Sequence, residues 1–223
     1  MTAAAVSAVS GPRLRITEIF LSLQGESVDA GWPTVFVRLT GCPLRCVYCD
    51  TAYAFQGGAL MSQDEIVRAV AAYAVPRVCV TGGEPLAQPA VHDLLVRLCD
   101  EGYGIVLETS GALPVRDVDP RVVRVVDFKT PGSGEEGRND YTNVAALRPA
   151  DQVKIVVTDR ADYLWALDLV RRHRLDTRAT VWFSPAWGEL EPRVLAEWIL
   201  EDHAPVRLQI QLHKILWGTE PGR

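Results

Sequence analysis

Three cysteines fall within eight residues, in the run Gly41-Cys42-Pro43-Leu44-Arg45-Cys46-Val47-Tyr48-Cys49-Asp50. Thiolate sulfur is a soft donor that selects iron–sulfur clusters, zinc or copper(I). Three thiolates leave a tetrahedral or cubane site one ligand short, and an open position marks a centre that does chemistry. A zinc site needs a distant fourth ligand, and His92, His173, His203 and His213 are available for it. Tyr48, just before the last cysteine, fits a shielded cluster, because exposure and hydrogen bonding tune cluster potential. The spacing alone leaves iron–sulfur and zinc both open.

Other stretches carry groups that could serve such a centre. Thr81-Gly82-Gly83-Glu84-Pro85 follows the apolar run Val78-Cys79-Val80. Adjacent glycines let a backbone approach a ligand closely, and a glutamate beside them can accept from an ammonium group. Glu108-Thr109-Ser110-Gly111 closes another apolar run with a carboxylate and two hydroxyls. Asp127-Phe128-Lys129 puts a lysine at a strand end, suited to a carboxylate or ribose, or simply to solvent. Leu23-Gln24-Gly25-Glu26 read by itself is a loop. Arg38 sits among Val37 and Leu39. A charge there needs a partner, so it is either a surface residue or an anion ligand.

These motifs need strands to hold them. Residues 34–40 are β-branched and aromatic, read as a strand, and feed directly into the cysteine loop. Further strands are predicted at 14–20, 77–80, 104–107, 122–128, 153–157, 179–183 and 206–211. Ser62 with Glu65 three residues on is a capping box, opening a helix to about residue 74. Helices follow near 88–101, 161–172 and 191–201. Strand and helix alternate, which implies parallel strands with helical crossovers and both sheet faces covered. In such folds the loops at the C-terminal ends of strands build the site. Residues 132–139 form one long loop, glycine-rich and charged.

The bulk properties exclude several classes. The chain has 223 residues, 48% hydrophobic, with a net charge of −5. No Lys/Arg-rich run offers a nucleic-acid surface. No apolar stretch approaches the ~18 residues of a membrane span. Five cysteines, three of them clustered, make a poor disulfide framework, so the reducing cytoplasm is expected. Cys79 and Cys99 read as core residues. Residues 1–10 lack the basic flank of a signal peptide. Residues 1–13 are read as a disordered leader and 14–223 as a single domain.

Taken together, the cysteine spacing and Gly82-Gly83-Glu84-Pro85 resemble the radical S-adenosylmethionine superfamily. Leu23-Gln24-Gly25-Glu26, Phe36-Val37-Arg38-Leu39, Cys49-Asp50-Thr51, Glu108-Thr109-Ser110-Gly111 and Gln211-Leu212-His213-Lys214 narrow it. Over residues 16–217 the sequence is similar to the 7-carboxy-7-deazaguanine synthases of queuosine biosynthesis, a pathway of transfer-RNA modification. The resemblance implies an α/β fold, an abbreviated, partial (β/α) barrel of parallel strands. It implies a lyase that converts 6-carboxy-5,6,7,8-tetrahydropterin to 7-carboxy-7-deazaguanine with loss of ammonia. Cys42, Cys46 and Cys49 would hold a 4Fe–4S cluster. Gly83, Glu84, Ser110, Asp127, Phe128 and Lys129 would bind S-adenosylmethionine, although the family often has serine-proline-lysine at the last three positions. Leu23, Gln24, Gly25, Arg38, Thr81 and His213 would bind substrate, with Arg38 on its carboxylate, and Thr51 would ligate Mg2+. A flavodoxin or ferredoxin electron donor and a homodimer are implied as well. A family contact made by the terminal carboxylate does not transfer, because residues 219–223 run past the matching region.

Two rival readings stand beside this one. A glycyl-radical-enzyme activase shares the cysteine loop and Gly-Gly-Glu-Pro, but needs neither Gln24, Arg38 nor His213 for a small acid. A cluster- or zinc-binding carrier has little use for polar motifs at several strand ends.

Overall fold

Leu14 and Ile16 alternate with exposed arginines along Arg13–Leu23 (β1), so one face enters the core. The strand runs three residues beyond the predicted 14–20 and delivers Gln24 to the site. In this computed structural model residues 11–220 and Gly222 are described. Most of the expected leader therefore lies outside the described residues, and Arg13 already pairs opposite Ser62.

Pro33–Leu39 (β2) is buried at nearly every position, as expected for a central strand. It runs antiparallel to β1, with Phe20 opposite Phe36 and their rings stacked at 5.0 Å. A register irregularity between Ile16 and Glu18 sets Glu18 opposite Arg38. Ala59–Ser62 (β3), absent from the sequence reading, pairs antiparallel with the other side of β1.

From β2 onward the sheet is parallel. Arg77–Gly82 (β4), Gly104–Thr109 (β5), Val123–Asp127 (β6), Gln152–Val157 (β7), Thr180–Pro185 (β8) and Arg207–Leu208 (β9) follow in sequence. The nine strands are ordered β3-β1-β2-β4-β5-β6-β7-β8-β9. Among the described residues the outer strands β3 and β9 do not pair with each other, so the sheet is an open, partial barrel. The expectation of parallel strands is corrected only at β1 and β3. The strand predicted at 206–211 shortens to two residues. Beyond it, Gln209 and Gln211 turn their amides to Glu26 instead of continuing a ladder.

Gln63–Ala71 (α1) starts at the predicted capping box, with both Ser62 and Glu65 bonds formed. Val91–Asp100 (α2) starts later than predicted, because residues 85–87 first make a 3-10 turn. Gln88 there bonds the Arg15 and Thr40 carbonyls. Asn143–Ala146 (α3), Arg160–His173 (α4), Pro192–Glu201 (α5) and Leu212–Trp217 (α6) complete the helices. Val35, Val37 and Leu39 share one core with Ile66, Val70, Leu94 and Leu98. Each such residue contributes roughly 2 kcal/mol by leaving water. Away from the site, Arg124 and Arg148 clamp the buried Asp151. Burial alone would raise that carboxyl, but their hydrogen bonds hold it down to about 2. Among the described residues no helix is long and apolar enough to cross a membrane.

Candidate active site

The cysteine loop hangs from the end of β2. Its entry is fixed by backbone bonds: Gly41 N donates to Ala54 O at 2.8 Å, and Glu84 N to Gly41 O at 2.7 Å. The 132–139 loop lies against it, with Val47 N donating to Ser133 O at 3.1 Å. Cys42, Cys46 and Cys49 are all free and partly exposed, and all line one cleft of about 230 Å³. Burial pushes the Cys42 thiol up and the Cys46 thiol to about 11. A metal must displace those protons, so ligation here is coupled to proton release. Among the described residues no three His, Cys, Asp or Glu side chains gather for a single ion.

Gly83 is required by close approach. A Cβ there would stand 2.1 Å from Gly41 O and 3.0 Å from Cys42 Cβ. The bare backbone at the end of β4 therefore fits against the cysteine loop. Glu84 follows Gly83 in the chain. It is fully buried and is not part of the cleft wall. Its carboxylate accepts from Leu86 N, Thr109 Oγ1, Ser110 N and Ser110 Oγ at 2.6–2.9 Å. With its oxygens so occupied, the Glu84 side chain ties the end of β4 to the end of β5. Ser110 does line the cleft, held by that carboxylate.

Asp127 and Lys129 both face the cleft, but the Phe128 side chain does not. Side chains alternate across a strand, and Phe128 is fully buried in the core, stacked on Tyr141 at 5.9 Å. Lys129 Nζ lies 3.0 Å from Asp127 Oδ2, and Lys154 Nζ is 3.5 Å from the same oxygen and 2.7 Å from Glu26 Oε2. Two cations and two carboxylates alternate in this row. Burial would lower both lysines, but Asp127 lifts Lys129, and Glu26 with Asp127 lifts Lys154. Burial would raise Glu26, but Lys154 holds it down as a carboxylate. Asp127 Oδ1 is buried with no partner among the described residues, an acceptor open to a bound hydroxyl.

The same cleft is lined by Arg38, Gln24, Thr81 and Glu108. Thr81 Oγ1 donates to Glu108 Oε2 at 2.8 Å, and Gln24 Nε2 approaches Glu108 Oε1 at 3.4 Å. Arg38 Nε donates to Glu18 Oε1 at 2.7 Å. The two alternatives for Arg38 thus resolve into both a partner and a place in the cleft.

The end of the chain closes the site. Leu212 N donates to Gly25 O at 3.0 Å, and Gln211 Nε2 to Glu26 Oε1 at 2.8 Å. His213 packs on Gly25 so tightly that a Cβ there would be 2.0 Å from its Nδ1. Burial lowers the His213 pKa, against the pull of Glu26 and Asp50. Lys214 Nζ sits 2.6 Å from Asp50 Oδ2, and Thr51 Oγ1 donates to Asp50 Oδ1 at 2.9 Å. Burial would raise Asp50, but Lys214 holds it well below the carboxylate range.

One cleft therefore brings together the three cysteines, Leu23, Gln24, Gly25, Arg38, Thr51, Thr81, Gly83, Ser110, Asp127, Lys129 and His213. Lys154, Glu26, Glu108, Gln211 and Lys214 line it too without having been assigned there from sequence. The signal for Lys154 was available: a lysine inside Val153–Val157 is out of place in a buried strand. Three soft donors on one loop, beside a bare glycine backbone, fit a cluster with an open iron. The row of carboxylates and ammonium groups beside them fits a zwitterionic amino acid with a ribose.

Comparison with known proteins bears on this arrangement. Residues 36–126 match the model of the radical SAM superfamily. The chain is 49% identical over 210 residues to the 7-carboxy-7-deazaguanine synthase of Chlorobaculum tepidum, covering 93% of this chain and 96% of that one. It is 44% identical over 222 residues to the enzyme of the same name from Koribacter versatilis, covering 93% and 98%. The crystal structure of QueE from Escherichia coli superposes with a TM-score of 0.68 over 90% of this chain and 95% of that one. At 22% identity that likeness speaks to the fold.

Proposed function

The chain belongs to the family of 7-carboxy-7-deazaguanine synthases, radical S-adenosylmethionine enzymes, and from that premise we propose how its cleft performs the ring contraction. The activity is that of a lyase in queuosine biosynthesis, not of a glycyl-radical activase. The substrate we assign is 6-carboxy-5,6,7,8-tetrahydropterin, which loses ammonia. Bound there, a 4Fe–4S cluster with S-adenosylmethionine would supply radical chemistry. Cys42, Cys46 and Cys49 hold the cluster. Gly83 receives the methionine end by its bare backbone, while Asp127 and Lys129 take the polar groups of S-adenosylmethionine.

The substrate takes the part of the cleft lined by Arg38, Gln24, Thr81 and Glu108. Arg38 anchors its carboxylate, for which a planar guanidinium fork is suited. Leu23, Gln24 and Gly25 read the ring edge, and Thr81 with Glu108 adds a hydroxyl and a carboxylate. Glu26, kept ionised by Lys154, accepts from ring N–H groups. His213, kept neutral by burial, can hold a proton near the ring. Thr51, next to Asp50, is the proposed Mg2+ ligand; such an ion takes oxygen donors and keeps waters. A flavodoxin- or ferredoxin-type protein serves as electron donor, and two chains form a homodimer.

The observation that carries this reading is that Arg38 shares a single cleft with the cysteine loop. Turnover of the carboxylated tetrahydropterin by reconstituted, reduced protein tests it. Release of ammonia with formation of a deazaguanine is expected. Only uncoupled 5′-deoxyadenosine would sink the substrate assignment. A rate indifferent to magnesium chelation would remove Thr51 as a ligand.

A further inference from the structure

An arginine offers five N–H donors in a rigid fork. In Arg38 the Nε donor is already committed, to Glu18 Oε1 at 2.7 Å. That same oxygen accepts from Tyr53 OH, also at 2.7 Å. The guanidinium carbon stands 5.7 Å from the Phe20 ring and 5.9 Å from the Tyr53 ring. Nη1 and Nη2 of Arg38 make no hydrogen bond among the described residues. The fork is thus gripped through its stem and its faces, while its two end nitrogens are left for a ligand.

The chain builds this grip deliberately. The irregularity in β1 after Ile16 brings Glu18 opposite Arg38. Residues 52–55 form a 3-10 turn immediately after Thr51, and that turn swings Tyr53 back over β1. Arg38 lines the cleft, but Glu18 and Tyr53 do not. The Tyr53 phenol is pushed up to about 12, mainly by burial and by the carboxylate it bonds, so it remains a donor across the working pH range. A carboxylate is recognised best when two parallel N–H bonds meet it in plane. A carboxylate partner on Nε offsets part of the Arg38 charge, so discrimination must come from the aim of the fork more than from net attraction.

We propose that Glu18 and Tyr53 are positioning residues that aim the Arg38 fork and set selectivity for a carboxylated pterin over the same ring lacking the carboxylate. The inference rests on the reading of Arg38 as carboxylate anchor. The bland alternative is that Glu18 and Arg38 form only a cross-strand ion pair that steadies β1 against β2.

Anaerobic calorimetry on oxidised, cluster-reconstituted protein separates the two, because no turnover occurs without reductant. The titrants are 6-carboxytetrahydropterin and tetrahydropterin. Glu18→Leu and Tyr53→Phe are each expected to weaken the carboxylated ligand about tenfold, the effect of one lost charge-assisted hydrogen bond. Tetrahydropterin affinity and iron content should stay unchanged. Glu18→Gln keeps an acceptor for Arg38 Nε and should restore most of the loss. Equal weakening of both ligands, or none of either, overturns the proposal in favour of the plain strand pair. If Glu18→Leu folds poorly, the half-exposed Tyr53→Phe decides alone. Should Arg38→Ala itself keep full preference for the carboxylate, the anchor reading fails first, and that outcome is distinct from the others.

Discussion

Ser110 and Glu84 are joined twice, the serine amide and hydroxyl both donating to Glu84 Oε2 at 2.6 Å. This joint locks the ends of β4 and β5 together underneath the cleft. Removing the acceptor leaves buried donors on Ser110, Thr109 and Leu86 without partners. Glu84→Ala should therefore destabilise the protein by roughly 3 kcal/mol, read by chemical denaturation of the apoprotein. Unchanged stability with weakened S-adenosylmethionine binding would return Glu84 to the role of a direct ligand.

Gly83 gives a prediction of a different kind. A methyl group there meets the Gly41 carbonyl at 2.1 Å, and that carbonyl belongs to the backbone, so the cysteine loop must move. Gly83→Ala should fold yet take up markedly less iron during reconstitution. Iron and sulfide content per chain is the measurement, with full loading as the contrary result.

Lys154 is the shared counter-ion of Glu26 and Asp127. Lys154→Met leaves two carboxylates facing each other with Lys129 alone to offset them. Breaking such a buried arrangement costs roughly 2 kcal/mol or more. Affinity for substrate and for S-adenosylmethionine should fall together, because the lysine pairs with both Glu26 and Asp127. Loss of one affinity alone would show that the row is not a unit.

His213 gives the pH dependence. Its pKa in the folded protein is lowered from 6.5 by burial, so the unfolded chain binds the proton first as pH falls. The stability held by neutral His213 is complete above pH 6.5 and declines as pH drops from there toward the folded-state value. The unfolding free energy of the wild type should fall more steeply between pH 7 and pH 5 than that of His213→Gln. Parallel slopes would mean that the imidazole is not held neutral.

Much of the fold was legible because its strands are short, apolar and punctuated by glycine motifs. The capping box at Ser62 and the strand 34–40 needed no tertiary information. What could not be read was pairing. Nothing local in residues 13–23 says that β1 runs antiparallel to its neighbours, and β3 forms only because β1 offers it an edge. The cysteines announce a centre by their spacing alone, whereas Arg38 read by itself stays divided between a surface residue and an anion ligand. At Glu84 and Phe128 the side chain points into the protein, which the motif alone does not say. Strand alternation placed Asp127 and Lys129 on one face and Phe128 on the other. Lys154, Glu26 and Glu18 escaped notice because their meaning lies in ion pairs between residues far apart in sequence.

The closing contacts of the cleft have a consequence for how the protein is made. Gln211 reaches Asp50 across 161 residues of sequence, and Lys214 follows it. At ribosomal speeds of about 5–20 residues per second, the cysteine loop waits on the order of 10 s before its last cover is synthesised. The wall formed by Gln211, His213 and Lys214 is therefore the last part of the cleft to be made, long after the cysteine loop itself has emerged.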